Sequence, residues 1–400
     1  MRQQMKEVAL AIRADPSRAE LHAAIGNGLI RETRYLEAIE AYRAAITCNP
    51  NFAEAQLALA ELLSIAQDPL WREHLRAALS LQRTYEDPEP QNARINLTLL
   101  LRDAPYSVNA PIELIIDRTK VAIRKWYIEC NAPARNGDAI LFCAFNYSRE
   151  ALPAISTAEA IAHDTSRPVL NSPDRLGALA RERLQETLAP IGGVVVPNVR
   201  AVCPEEIRIG GKTLVRPLDT HAGSGLALLE DQRELQAHLE RHPSDCYHVS
   251  DFVDYVSSDG YYRKYRIVFV DGVPYPYHLG ISPRWMVHYR NAPMAQNAWM
   301  RDEEKAFLAD PKRVFAQWDA TMRLVAETIG MEYFGIDCAV LRGGATLIFE
   351  ADPAMLVHDE EPEGIFAYKR AAVAKIREAI TRLFSSKESE DVVDSEKLRR

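Results

Sequence analysis

Three stretches hold residue types that a packed core would not choose. In Thr213–Leu226, TLVRPLDTHAGSGL, a short apolar run delivers Arg216 and then opens into His221-Ala222-Gly223-Ser224-Gly225. Glycines at this spacing let backbone N–H groups approach an anion with no Cβ in the way, which is how a loop cradles phosphate, although a plain turn also uses them. In Tyr262-Arg263-Lys264-Tyr265-Arg266, strand alternation sets Lys264 and Arg266 on one face. Two neighbouring cations repel unless an anion lies between them or solvent screens them, as on an edge strand. In the third stretch, Gly335-Ile336-Asp337 and Glu350-Ala351-Asp352-Pro353 flank Arg342-Gly343-Gly344, so a hairpin brings Asp337 close to Glu350 and Asp352. Hard carboxylate oxygens converging on one spot suit Mg²⁺, which keeps water and substrate phosphates as its other ligands.

The elements around these stretches must hold them in place. Asp138–Phe145 reads as a buried strand, followed by a helix over 149–162, a short strand at 168–171 and an amphipathic helix over 174–189. Strands are expected at 194–196, 212–217 and 248–253, with a helix near 231–241. Residues 265–270 and 273–279 form a hairpin across Asp271-Gly272, a helix runs from 302 to 329, and strands at 335–341 and 346–350 precede a helix over 363–384.

Taken in order, these segments resemble the ATP-grasp superfamily, with closest likeness to ribosomal-protein glutamate ligases and glutathione synthetases. The resemblance covers roughly 135–384 and implies an α+β fold whose subdomains close on ATP and Mg²⁺. It implies that Arg183, in Arg181-Glu182-Arg183-Leu184, and Arg216 reach the nucleotide phosphates with Lys264 and the loop residues His221, Gly223, Ser224 and Gly225. The adenine hinge would be Asp251, Phe252 and Val253, Arg266 would hold the transferring phosphate, and Asp337, Glu350 and Asp352 would bind the metal. The chain departs from the family pattern with two arginines for lysines, Asp251 for Glu and Asp352 for the usual Asn. Arginine still binds phosphate bidentately. The implied reaction activates a carboxylate as an acyl-phosphate, which an amine then attacks to form an amide, with the glycine loop excluding water. Segment 277–291 follows the Arg266 hairpin and places His278, Arg284, Trp285, His288 and Arg290 where they could line the acceptor side, a histidine there taking the amine proton.

The N-terminal part differs in kind. Residues 1–85 are helical in pattern with a 34-residue period, Pro16 recurring as Pro50 and Ala11 as Ala45. Gly26, Leu29, Ala38, Tyr42 and Ala45 fall where a tetratricopeptide repeat alternates small and bulky residues, so the stretch resembles a module of about two and a half repeats. Such grooves bind peptide segments, which suggests recruitment of a peptide, protein or carrier-bound substrate. The expected organisation is multidomain: repeats at 1–85, linker and connecting helices at 86–134, a pre-ATP-grasp α/β subdomain at 135–195, a central nucleotide-binding subdomain at 196–256, a C-terminal subdomain at 257–384, and a disordered charged tail at 385–400.

Composition sets outer limits. At 47% apolar, 26% charged and 400 residues the chain is ordinary globular protein of two or three domains, and a net charge of −8 argues against a partner of nucleic acid. No apolar run is long enough to span a membrane and the N-terminus lacks a signal peptide, so a cytoplasmic location is expected, with six scattered cysteines acting as small hydrophobes. An incomplete repeat leaves an apolar face that a second copy could cover. Two other functions fit the same residues: a ligase for a free amino acid or small metabolite, and a non-catalytic nucleotide-binding interaction protein.

Overall fold

The computed structural model describes the chain apart from residues 1–14, 16, 33, 87–92, 105–107, 130–139, 219, 221–222, 290, 360–362 and 399–400, and apart from the side chains of 389–398. His221, Arg290 and the first 14 residues of the helical stretch expected over 1–85 therefore lie outside the described residues. Helices Ala19–Arg31, Tyr35–Cys48, Ala53–Ile65 and Trp71–Leu81 open the fold. The short connections between them make sequential helices antiparallel neighbours. A Cβ at Gly26 would stand 2.7 Å from the Tyr42 ring, so the glycine is what lets the first two helices close over that ring. The Tyr42 hydroxyl then donates to Asn27 Oδ1 at 2.6 Å.

The stretch expected as linker and connecting helices at 86–134 instead contributes strands to a sheet. Strands β1 (Thr84–Glu86), β2 (Ile95–Leu101), β3 (Val121–Tyr127), β4 (Ile140–Cys143) and β5 (Val169–Leu170) run in the order β1-β3-β2-β4-β5. Only β1 is antiparallel to its neighbour. Central β2, INLTLLL, is nearly continuous apolar sequence, as a strand covered on both faces must be. Ala53, Leu57, Leu75 and Ala78 of the third and fourth helices share one core with Leu97, Leu99, Ile123 and Phe142 of this sheet. Half of the repeat-like module is thus a structural layer of the first domain. Lys125 of β3 fastens the layer, its ammonium lying 3.0 Å from Glu61 and 2.8 Å from Glu113.

After β6 (Val194–Val195), strands β7 (Arg200–Val202), β8 (Thr213–Pro217), β9 (Ala227–Leu229) and β10 (Tyr247–Asp251) make an antiparallel sheet ordered β7-β10-β8-β9. Its core of Val215, Leu229, Leu235, Tyr247 and Val249 is small and separate. The third sheet joins β11 (Tyr262–Val270), β12 (Val273–Ser282), β13 (Tyr333–Val340) and β14 (Thr346–Asp352) in the order β12-β11-β13-β14-β6.

Three expectations for helices are corrected. The stretch 302–329 is two helices, Ala298–Ala309 and Trp318–Ile329, interrupted where Pro311 can supply no N–H to the helix ladder. The 174–189 segment breaks into a single turn, Pro173–Leu176, a 3₁₀ turn and the helix Arg181–Leu188. The last helix runs Arg370–Leu398, through the segment expected to be a disordered tail. Lys and Glu are good helix formers, and extending a helix that is already nucleated needs no new nucleus. No helix among the described residues is long and apolar enough to cross a membrane.

Candidate active site

The chemistry-bearing residues of the third sheet form a row across its strands. Alternation along β11 sets Lys264 and Arg266 on one face, and register places Arg266 opposite Asp337 and Asp337 opposite Glu350. Irregularities follow Arg266 on the β12 side and Asp337 on the β14 side. Asp337, 1% exposed, accepts from Lys264 Nζ at 2.7 Å and from Arg266 Nε and a terminal guanidinium nitrogen at 2.7 and 3.0 Å. Burial opposes its ionisation, but the two cations outweigh that and hold the carboxyl well below the usual range. The repulsion inferred for Lys264 and Arg266 is thus relieved by a carboxylate of the protein itself.

Beside this row, Arg181 donates to Glu350 at 2.6 Å from the first residue of its helix. Burial pushes the Glu350 carboxyl up, yet Arg181, helped by Lys264 and Arg266, leaves it below its ordinary value. Asp352 has no such partner among the described residues: burial and the neighbouring Glu350 charge push it up to about 6, while its Oδ1 accepts the Ala354 N–H at 2.7 Å. Arg216, on β8, is buried and hydrogen-bonds Thr220 through Oγ1, at 2.9 Å, and through the backbone carbonyl. Burial and the charge of Arg181 press its pKa down to about 10. Arg181, Glu182, Thr220, His248, Glu350 and Asp352 line one open cleft. His248 of β10 lies 3.0 Å from Glu182, whose carboxyl this hydrogen bond lowers to about 2.

Other expected residues are distributed as follows. Arg183 is exposed and turned toward Gly177; Arg181, two residues earlier, is the arginine facing the acids. Asp251 is exposed at the end of β10. Next to it, Phe252 donates its N–H to Lys212 at 2.9 Å and packs edge-on against Trp285, and Val253 packs with the Tyr255 and Val287 cluster. Ser224 is exposed and Gly225 half-buried. Gly223 has φ +75°, and a Cβ there would stand 2.3 Å from His288 Nε2, so the glycine loop seats directly on that imidazole. His288 is half-buried, and burial with the nearby Lys264 charge favours its neutral form.

The structure does not bring His278 or Arg284 to the cleft. His278 is buried on β12 opposite Arg266, stacked on Tyr289 with 4.5 Å between ring centres, and its pKa is driven well below the ordinary value by burial and by Arg266. Arg284 is exposed, its backbone N–H donating to Ser282 Oγ at 3.0 Å. Behind His278 lies a polar layer that sequence reasoning missed. Lys369, wholly buried, sits 4.2 Å from the Tyr289 ring centre and 5.2 Å from that of Tyr277. Glu304, also wholly buried, accepts from the Leu279 N–H and from the hydroxyls of Tyr289 and Tyr368. Both residues lie in helical or turn segments of mixed charge, with no local signal of burial.

Among the described residues, no group of three His, Cys, Asp or Glu side chains converges to hold a metal. The donor chemistry divides the expected triad. Glu350 and Asp352 are neighbouring acids whose repulsion raises the Asp352 pKa, which a divalent cation would relieve. Both oxygens of Asp337 are committed to Lys264 and Arg266. Glu350 and Asp352 therefore fit a metal in this arrangement, and Asp337 does not.

Known proteins offer a limited comparison. No family model matches this chain, and no curated protein does. Among solved structures, a RimK domain protein ATP-grasp from Sphaerobacter thermophilus is 17% identical, with 70% of this chain and 98% of that one covered and a TM-score of 0.42. The D-alanine-D-alanine ligase from Coxiella burnetii is 10% identical over 76% of this chain and 98% of its own, with a TM-score of 0.48. The ATP-grasp ligase PsnB, complexed with precursor peptide PsnA2 and AMPPNP, is 10% identical over 74% of this chain and 100% of its own, with a TM-score of 0.41.

Proposed function

We propose that the chain is an ATP-dependent carboxylate–amine ligase of ATP-grasp type, turning ATP into ADP and phosphate by way of an acyl-phosphate. The observation that carries this reading is Arg216. It is a buried guanidinium whose hydrogen bonds among the described residues go to neutral oxygens of Thr220, and Arg181 stands near enough to depress its pKa. Arg181, Glu350 and Asp352 line one cleft together with Thr220, the residue that Arg216 hydrogen-bonds, and two neighbouring arginines beside a pair of acids complement a polyanion with its counter-cation. Arg181 and Arg216 would take phosphate oxygens, and Gly223 would keep the loop backbone free to approach them. Glu350 and Asp352 would hold Mg²⁺, which when bound screens phosphate charge. Lys264 and Arg266 would sit beside the transferring phosphate, fixed by Asp337. His288, whose neutral form burial favours and which lies against Gly223, would accept the proton of an attacking amine.

We read the four N-terminal helices as tetratricopeptide-like, with a peptide, protein or carrier-bound substrate as the class they serve. The period, Gly26 and Tyr42 support this. The sharing of Ala53, Leu57, Leu75 and Ala78 with the first sheet's core favours a second reading, in which the module is structural and the substrate a small metabolite. The test is release of ADP and phosphate in the presence of amino acids, peptides and cell extract, comparing wild type with Glu350→Ala. Turnover that requires an added carboxylate and amine and is lost in the variant supports the ligase. Turnover unchanged in Glu350→Ala refutes the site.

A further inference from the structure

We propose that Cys203 and Cys246 are a reversible dithiol–disulfide pair on the cleft face of the central sheet, a modification site that does not depend on the nucleotide reading. The two residues lie far apart in sequence, and only the ladder brings them together. Register pairs Val202 with Tyr247 and Ala201 with His248, so one further step sets Cys203 opposite Cys246.

The parity of the hydrogen bonds fixes what kind of pair this is. The Cys246 carbonyl accepts the Leu218 N–H at 3.0 Å, and the Phe252 N–H donates to Lys212 at 2.9 Å, so even-numbered residues of β10 turn their backbone groups toward β8. Odd-numbered residues turn theirs toward β7. Cys203 and Cys246 are therefore a non-hydrogen-bonded pair, the class in which facing Cα atoms approach to about 4.5 Å. That lies within the span of about 4.4–6.8 Å that a disulfide bridges. In agreement, the Cys203 N–H donates to Glu206 Oε2 at 3.1 Å and not across the ladder. Both thiols are free and part-exposed, and they hydrogen-bond each other, the contact with Cys246 raising the Cys203 pKa.

Side-chain alternation decides which face they occupy. Tyr247 and Val249 enter the small core with Val215 and Leu229. Cys246 and His248 point the other way, and His248 and Leu218 line the cleft. The segment between the two cysteines contains β8 with Arg216, the glycine loop, β9 and the helix Gln232–Arg241. A bond between the thiols closes that whole segment into a ring beside the cleft.

The chemistry is thiol–disulfide exchange with a low-molecular-weight disulfide as oxidant. One cysteine thiolate attacks a sulfur of that disulfide and expels a small thiolate; the second cysteine attacks the mixed disulfide and expels the other. The protein loses two hydrogens, and the small disulfide gains them as two thiols. Among the other described cysteines, Cys143 and Cys338 are buried in cores and Cys48 is exposed on a helix.

The experiment incubates the full-length protein with oxidised glutathione, blocks remaining thiols, and maps peptides without reduction. The expected product is one intramolecular link joining the Cys203 and Cys246 peptides, reversed by dithiothreitol and absent from Cys203→Ser and Cys246→Ser. Amide hydrogen exchange over 204–245 should slow at least several-fold in the linked form and return on reduction. Separate glutathione adducts on the two residues, a link to another cysteine, or unchanged exchange in the linked protein overturns the proposal. Cys203→Ser, which keeps one thiol and the fold, distinguishes a missing link from a damaged sheet.

Discussion

Replacing Asp352 with asparagine should stabilise the ligand-free protein at neutral pH and lose that advantage in acid. The Asp352 carboxyl, 3.8 when unperturbed, rises to about 6 through burial and the charge of Glu350. The native state thus holds a proton more tightly than the unfolded chain does. The associated stability is complete below pH 3.8 and is lost as pH rises through about 6. A displacement of roughly two pH units corresponds to about 3 kcal/mol. The side chain borders a solvent-filled cleft, which lowers the expected effect to about 1–3 kcal/mol. The Asp352→Asn side chain would keep an Oδ1 to accept the Ala354 N–H but could not ionise, so the variant escapes the loss. The assay is thermal unfolding of both proteins, followed by near-ultraviolet circular dichroism from pH 3.5 to 7.5 in chelator. The prediction is a variant that melts higher at pH 7.5, with the difference closing toward pH 3.5. A difference that does not change with pH, or a variant less stable at pH 7.5, would refute the placement of Asp352 beside an ionised Glu350.

Other substitutions probe the rest of the arrangement. Asp337→Ala strands Lys264 and Arg266 in a buried row, and thermal unfolding should show a loss of about 3–5 kcal/mol; a loss below about 1 kcal/mol would mean the cations are solvated. Gly223→Ala places a methyl group against His288 in a left-handed backbone conformation, so thermal unfolding should show a loss larger than the backbone cost of about 1 kcal/mol, and Gly223→Ala/His288→Ala, measured against His288→Ala, should recover only part of it, because that backbone cost remains. Full recovery in the double variant would refute the backbone argument. Deleting residues 1–81 uncovers the face of the first sheet under Leu97 and Leu99, so the remainder should be insoluble or lack a cooperative melt. An intact melt for the truncated chain would show that the helices are a separate arm.

How much of this was legible in sequence depended on range. Strand alternation placed Lys264 with Arg266, and the Gly-containing turn between Asp337 and Glu350 set those acids side by side; both are local rules. That Asp337 neutralises the two cations is a contact across strands far apart in sequence, and no periodicity encodes it. Arg181 and Arg183 lie in the same helical turn, and which one faces inward depends on how that helix starts after the 3₁₀ turn at 177–179. The β2 run INLTLLL was missed because a strand covered on both faces shows no alternation, and the nearby prolines suggested a linker. Lys369, Glu304 and the Cys203–Cys246 pair owe their environments entirely to tertiary structure.

The central claim is that the cleft lined by Arg181, Thr220, Glu350 and Asp352, with Arg216 held on Thr220, takes Mg·ATP. Calorimetric titration of wild type and Arg216→Met with Mg·ATP tests it most directly. Methionine removes a buried charge, so the variant should fold at least as stably as wild type, and a fall in affinity would then report the lost phosphate contact. The account predicts saturable one-site binding by wild type, weakened by about 10- to 100-fold in Arg216→Met, as for loss of a charged hydrogen bond of about 1.5–3 kcal/mol. No binding to wild type, or equal affinity in the two proteins, would contradict it.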